Sequence, residues 1–228
     1  MLQNIKQLYG RKLGAADGEF GHVKDFYFDD ETWAVRYLVA DTGSWLSGRQ
    51  VLLAAHAFEK NTFSVHASAH SAMPVNLTRK QIEDGPSLDS HRPVSRQFEE
   101  EYYAYYGWPV YWQAAAILTG AGVPPVAASA VETSHHGHHQ RDDLHLRSTK
   151  AVTGFKLQGA DGPIGSVSDF LLDVKNWTLA GVEIATGHWY KGETIALSTS
   201  HVSRISYEES TVYTNLTTAK ISQLAKKE

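Results

Sequence analysis

The chain has no cysteine and only two methionines among its 228 residues. The missing thiols exclude a disulfide framework and any Cys-ligated zinc site, and they suit a reducing compartment. A clean membrane span is missing too. The most apolar stretch, residues 114–131, is broken by Gly120, Gly122, Pro124 and Pro125. The opening Met1-Leu2-Gln3-Asn4-Ile5-Lys6 lacks the apolar core of a secretory signal. A soluble, cytoplasmic protein without membrane insertion is expected. There is no excess of positive charge either. Lys and Arg total 21 against 25 Asp and Glu, for a formal charge of −4. Direct nucleic-acid contact is therefore not expected, because phosphate recognition rests on a basic field. No G-x-S-x-G, no H-E-x-x-H and no phosphate-cradling glycine loop occurs. Nothing marks the chain as an enzyme, and no cofactor is expected.

What is present is an ordinary globular composition, 42% hydrophobic and 20% charged, with 6 Trp, 11 Tyr and 8 Phe. The main organising feature is an internal repeat. Sliding the chain by 144 residues places Lys6–Phe58 on Lys150–Val202 without a gap, and 18 of those 53 positions are identical. Chance matching at ordinary composition gives roughly three. Gly10, Lys12 and Leu13 meet Gly154, Lys156 and Leu157. Gly21, Val23, Asp25, Phe26 and Asp29 meet Gly165, Val167, Asp169, Phe170 and Asp173. Trp33, Trp45 and Gly48 meet Trp177, Trp189 and Gly192. The offset then falls to 139, where Asn76-Leu77-Thr78 meets Asn215-Leu216-Thr217. The first copy thus carries five extra residues around 64–72, read as a longer loop.

Each copy reads as short strands separated by turns. Asp17-Gly18 is a hairpin signal. Residues 20–28, 33–40 and 50–53 carry strand-like runs, and Asp29-Asp30-Glu31-Thr32 is a polar turn. Thr78-Arg79-Lys80-Gln81 has capping-box spacing and predicts a short helix through Ile82. The matching helix is expected over 217–224, with Lys220 in place of the Gln. Between the copies, Val94, Phe98, Tyr102 and Tyr105 form an apolar stripe on a helix expected over 93–106. Residues 114–143, rich in Ala, Gly, Pro and His, read as a flexible linker.

These motifs resemble the PRC-barrel family. The resemblance rests on Gly10-Arg11-Lys12-Leu13, on residues 17–23, 25–33 and 35–39, and on Asp41-Thr42-Gly43-Ser44-Trp45-Leu46-Ser47-Gly48-Arg49. It recurs over 161–173 and 177–192. The family's domain occurs in the cytoplasmic part of the photosynthetic reaction-centre H subunit and in a ribosome maturation factor. Pro93-Val94-Ser95-Arg96-Gln97, Tyr105-Tyr106 and Tyr111-Trp112 resemble the connector of bacterial proteins with two such barrels. The resemblance implies an all-β-dominated fold: two small PRC-type β-barrels, each ending in a short helix, joined by a partly helical connector. The implied divisions are 1–85, 86–147 and 148–228. The implied role is non-catalytic contact with other macromolecules, with an unknown protein partner and a possible homodimer.

The interaction candidates are Arg36, Tyr37, Asp41, Trp45 and Trp189. The first three change to Ala180, Gly181 and Ala185 in the second copy. The two tryptophans share a glycine-flanked loop, a place for an interface anchor, although packing onto the barrel is the expected state. Trp33 and Trp177 are expected to start strands in the core. His135, His136, His138 and His139, with Asp142, Asp143 and His145 nearby, are the candidate metal ligands. A glycine-rich linker gives them no second shell, so weak solvated chelation is expected. A metal-buffering protein acting through this linker is the alternative function, and a ribosome- or RNA-associated factor is a weaker one. The acidic turn at 29–31 is expected to be solvated. Asp25 and Asp169 are expected to accept nearby backbone N–H groups rather than form a paired-carboxylate site.

Overall fold

The computed structural model describes residues 1–58, 72–86, 96–108, 145–186 and 194–225. The fold is sheet-rich. In the first copy β1 (Leu2–Asn4) leads into the single turn α1 (Ile5–Leu8). There follow β2 (Lys12–Ala15), β3 (Gly18–Asp29), β4 (Val35–Asp41), β5 (Gln50–Ala54), β6 (Met73–Pro74) and α2 (Arg79–Asp84). After the helix α3 (Arg96–Tyr106), the second copy runs β7 (Leu146–Ser148), α4 (Thr149–Val152), β8 (Lys156–Gly159), β9 (Gly162–Asp173) and β10 (Thr178–Thr186). It ends with β11 (Thr194–Ser198), β12 (Val202–Ser206), β13 (Thr211–Thr214) and α5 (Thr218–Ala225).

One sheet has the order β5-β4-β3-β2-β6, and the other β11-β10-β9-β8-β13-β12. Their antiparallel ladders agree residue for residue at the 144-residue offset. Phe26 pairs with Leu38 and Tyr27 with Tyr37; Phe170 pairs with Val182 and Leu171 with Gly181. Parallel pairing also occurs in the same place, β2 with β6 and β8 with β13. Among the described residues no ladder joins the first and last strands of either order.

Steric detail explains several of the repeated glycines. A Cβ on Gly21 would run into the Asp41 carbonyl, and one on Gly165 into the Ala185 carbonyl. The hairpins close at Gly18 and Gly162, with φ of 144° and 146°, a region only glycine enters cheaply. Beside them, Asp17 accepts from the Arg79 N–H (2.7 Å) and Asp161 from the Thr218 N–H (2.9 Å), so each hairpin caps its copy's last helix. The expected capping box of α2 forms: the Thr78 N–H donates to Gln81 Oε1 (2.9 Å) and the Gln81 N–H to Thr78 Oγ1 (3.2 Å). Asp161 supplies acceptors where the second box is incomplete.

β3 and β9 are long, twelve residues each, and outrun their hairpin partners. β2 covers only Gly18–His22 of β3, and β4 occupies the opposite edge. The remaining backbone groups need partners. Val23 pairs with Gly10 and Arg11 of its own copy, and the far end of the strand finds its partners in the other copy. β7 pairs with β3, Tyr27 opposite Ser148 and Asp29 opposite Leu146. β1 pairs with β9, Leu171 opposite Asn4 and Asp173 opposite Leu2. The two registers are identical at the 144-residue offset. Each copy thus completes the other, and Phe28 meets Phe170 across the seam with ring centroids 5.6 Å apart.

Residues Met1–Glu83 and His145–Glu228 form one compact unit, and Asp84–Leu144 a second. In the second, the buried helical line is Glu99, Tyr102 and Tyr103, while Tyr105 is 46% exposed. Of the expected stripe, Tyr102 is buried and Tyr105 is not, while Val94 and the Phe98 side chain lie outside what is described. Tyr106 stacks on Trp108 at 4.7 Å. Residues 93–95, most of the 64–72 insertion and the linker lie outside the described residues.

Candidate functional site

The matched carboxylates sit on the seam. Asp25 is 9% exposed and Asp169 6%. Asp25 accepts from Ser148 Oγ (2.5 Å), Thr149 Oγ1 (2.9 Å), the Lys150 N–H (3.2 Å) and its own neighbour, the Phe26 N–H (2.8 Å). Asp169 accepts from Asn4 Nδ2 (3.2 Å), the Lys6 N–H (3.1 Å) and the Phe170 N–H (2.8 Å). Each Asp therefore binds the first turn of the helix that belongs to the opposite copy. The expected backbone acceptance holds for both residues. Half of it runs between copies, which a single-copy reading had no means to foresee. Burial raises the phenols of Tyr9 and Tyr27 above their ordinary value of 10.0, with the Asp25 charge adding to both shifts. Tyr9 Oη lies 2.9 Å from Thr149 Oγ1. A carboxylate held in this way by donors from both copies anchors backbone.

The tryptophans just before β4 and β10 complete the seam. Trp177 is buried, as expected, and Trp33 half-buried, but neither lies within its strand. They close the turns in the left-handed region, with φ of 61° and 53°, unusual for a bulky side chain. Their carbonyls explain the conformation. Trp33 O accepts from the Leu179 N–H (2.8 Å), and Trp177 O from the Val35 N–H (2.7 Å). Ala34 and Thr178 bridge between these bonds. The Trp33 ring stacks on Phe28 at 5.5 Å, and Trp177 packs against Phe58 at 4.7 Å.

In the acidic turn Glu31 is solvated as expected, but Asp29 and Asp30 are not. Asp29 is 3% exposed. Its Oδ1 accepts from the Glu31 and Thr32 N–H groups (3.0 and 2.8 Å), and its Oδ2 pairs with the Arg36 guanidinium. Asp30 is held from across the seam, by Arg147 Nε (2.6 Å) and His145 Nδ1 (2.9 Å). His145 Nε2 lies 3.7 Å from Glu31. Arg147 also lies 4.7 Å over the ring of Tyr207, which is 38% exposed. Burial is the main cause that raises the Tyr207 phenol. At the equivalent turn Val174 replaces Asp30, and only the backbone bond recurs: Asp30 N–H to His145 O (2.9 Å), Val174 N–H to Met1 O (3.2 Å). Sequence reasoning missed Asp30, His145 and Arg147 as a group. The signal was there: extending the 144-residue alignment backwards puts Leu146-Arg147-Ser148 on Leu2-Gln3-Asn4.

Of the interaction candidates, Arg36 is committed to Asp29 and Tyr37 is fully buried, which leaves Tyr37 no surface to offer. Asp41 Oδ1 accepts from the Gly43 N–H (2.9 Å) and shapes the following loop. That loop is tightly tied. Thr42 Oγ1 donates to Arg49 O (2.7 Å), and the Gly48 N–H donates to Gly43 O (2.6 Å). It presents Trp45 half-buried, edge-on to Phe20 at 6.0 Å, with the Arg79 guanidinium 4.5 Å over the ring. Trp189 and the histidines 135, 136, 138 and 139 lie outside the described residues. Among the described residues no three His, Cys, Asp or Glu side chains group as a metal site. No described helix is long and apolar enough to cross a membrane. No protein-family model matches the chain, and no curated protein matches it.

Proposed function

We propose that the protein is a non-catalytic interaction or scaffold protein, built from two PRC-type β-barrel modules that arose by duplication. One observation carries the reading. Two pairs of residues identical in both copies and suited to chemistry, Asp25 with Asp169 and Trp33 with Trp177, are taken up by folding: they cap helices and bridge backbone across the seam. A catalytic constellation needs ionisable groups free to meet a substrate. The charged turn at Asp30 differs between the copies, and the stiffened loop of the first copy presents Trp45, a residue common to both, beside Arg79. A rigid loop with a half-exposed Trp suits a binding anchor, because little entropy is lost on docking.

The test is affinity purification of the tagged full-length chain from its native cells, followed by reconstitution with the purified partner. A stoichiometric complex, weakened about tenfold or more by Trp45→Ala, is the expected result. Failure of every recovered protein to bind in purified form, or a specific turnover by the pure chain, overturns the reading.

A further inference from the structure

The seam joins residues of the first copy to residues of the second, and its backbone framework is reciprocal. β1 lies on β9 and β7 on β3 in one register. Asp25 holds the Lys150 N–H and Asp169 the Lys6 N–H. The carbonyls of Trp33 and Trp177 each take the other copy's N–H. None of these contacts requires that both copies sit on one chain. The covalent path between them is residues 84–144, which form a compact unit of their own. We propose that the face each copy turns to the other is also the docking surface for a second copy of this chain, which exchanges halves to form a closed, strand-exchanged dimer.

The exchanged dimer satisfies the same donors and acceptors as the closed monomer. First half of one chain meets second half of the other, twice, so the assembly closes with twofold symmetry and leaves no unpaired edge at the seam. The two states differ in tether and translational entropy rather than in contacts. A tether holds its ends at effective concentrations of about the millimolar range. The closed monomer therefore dominates in dilute solution, and exchange grows when chains fold in each other's presence. Once made, the dimer is slow to revert, because reversal opens both strand pairs, both Asp caps and the Phe28–Phe170 contact together. The inference depends on the seam alone and stands apart from the scaffold reading.

Because the chain has no cysteine, introduced thiols report without background. Ala34 and Thr178 form an antiparallel bridge flanked by the two Trp carbonyl bonds, the non-hydrogen-bonded type of pair. Cα atoms in such pairs lie about 4.5 Å apart, within disulfide range. Full-length Ala34→Cys and full-length Thr178→Cys chains are mixed, unfolded in urea, refolded together over a range of concentrations and oxidised. The expected product is a covalent heterodimer whose yield rises several-fold with each tenfold rise in refolding concentration, and which light scattering sizes as a dimer. The single variants refolded alone should not cross-link, since position 34 faces 178 and not another 34. The idea fails if the heterodimer is absent at every concentration while the double variant A34C/T178C oxidises within one chain, for then the copies pair only in cis. It fails equally if the double variant does not oxidise, or if A34C alone cross-links as readily as the mixture.

Discussion

Replacing Asp25 with Ala should be among the most damaging single changes in the molecule, although the residue has no ion-pair partner in the seam. Four donors converge on it: two hydroxyls, Ser148 and Thr149, and two backbone N–H groups, Lys150 and Phe26. The hydroxyls can turn to other acceptors, so each loss costs about 0.5 kcal/mol, the low end for a hydrogen bond. The backbone N–H groups cannot turn, and each left without an acceptor costs about 1–1.5 kcal/mol. The sum is about 3–4 kcal/mol, a large part of a typical stability of about 5–15 kcal/mol. Asp169→Ala takes the acceptor from three donors, two of them backbone, and should cost about 3 kcal/mol. Asp41→Ala is the control. It loses one exposed loop bond and should cost about 0.5–1 kcal/mol. Urea titrations followed by both far-ultraviolet dichroism and tryptophan fluorescence give the values, and coincidence of the two curves checks that unfolding is two-state. If Asp25→Ala lies within about 0.5 kcal/mol of the parent, the cross-seam caps are not structural and the reasoning is wrong.

Three more outcomes follow from the geometry. At Trp33, with φ of 61°, Gly should be better tolerated than Ala by about 1 kcal/mol, the reverse of the usual order, because only Gly relieves the left-handed strain; both variants lose the stack on Phe28, and an Ala variant as stable as the Gly variant refutes the strained turn. Gly21→Ala drives a Cβ into the Asp41 carbonyl and should cost more than about 2 kcal/mol, read as a fall in melting temperature, with Gly165→Ala behaving alike. The carboxyls of Asp161, Asp173 and Glu209 are held below their ordinary values, the two Asp chiefly by backbone N–H donors and the Glu by the Tyr213 hydroxyl. Because their folded values are depressed, the stability they contribute is present above the unfolded value, 3.8 for the Asp residues, and is lost as pH falls through the folded one. The urea midpoint should therefore drop below that pH, and less steeply in Asp161→Asn; an unchanged slope counts against the Asp161–Thr218 cap.

Much of the local structure was legible because it is written in local chemistry. Asp17-Gly18 announced a hairpin, Thr78 and Gln81 a helix start, and the 144-residue offset the matching ladders. What escaped notice involves residues far apart in the chain. Asp30 looked solvated because its partners, His145 and Arg147, stand 115 and 117 positions away. Trp33 looked like a strand residue because β-propensity carries no information about a carbonyl needed by Leu179. Tyr37 drew attention because it changes to Gly181, yet the change occurs inside the core, where a side chain on one copy fills space that Leu171 approaches in the other. Difference between copies is thus a poor guide to exposure.

The pairing of β1 with β9 sets an order of events during synthesis on the ribosome. Residues 2–4 leave the exit tunnel long before their partners at 171–173. The far end of β3 likewise stands with a bare edge until Leu146–Ser148 has appeared. Contacts of such sequence separation slow folding and lengthen the exposure of unpaired strands. The nascent first copy is a natural client for holding factors, and closure of the seam waits until the second copy has been made.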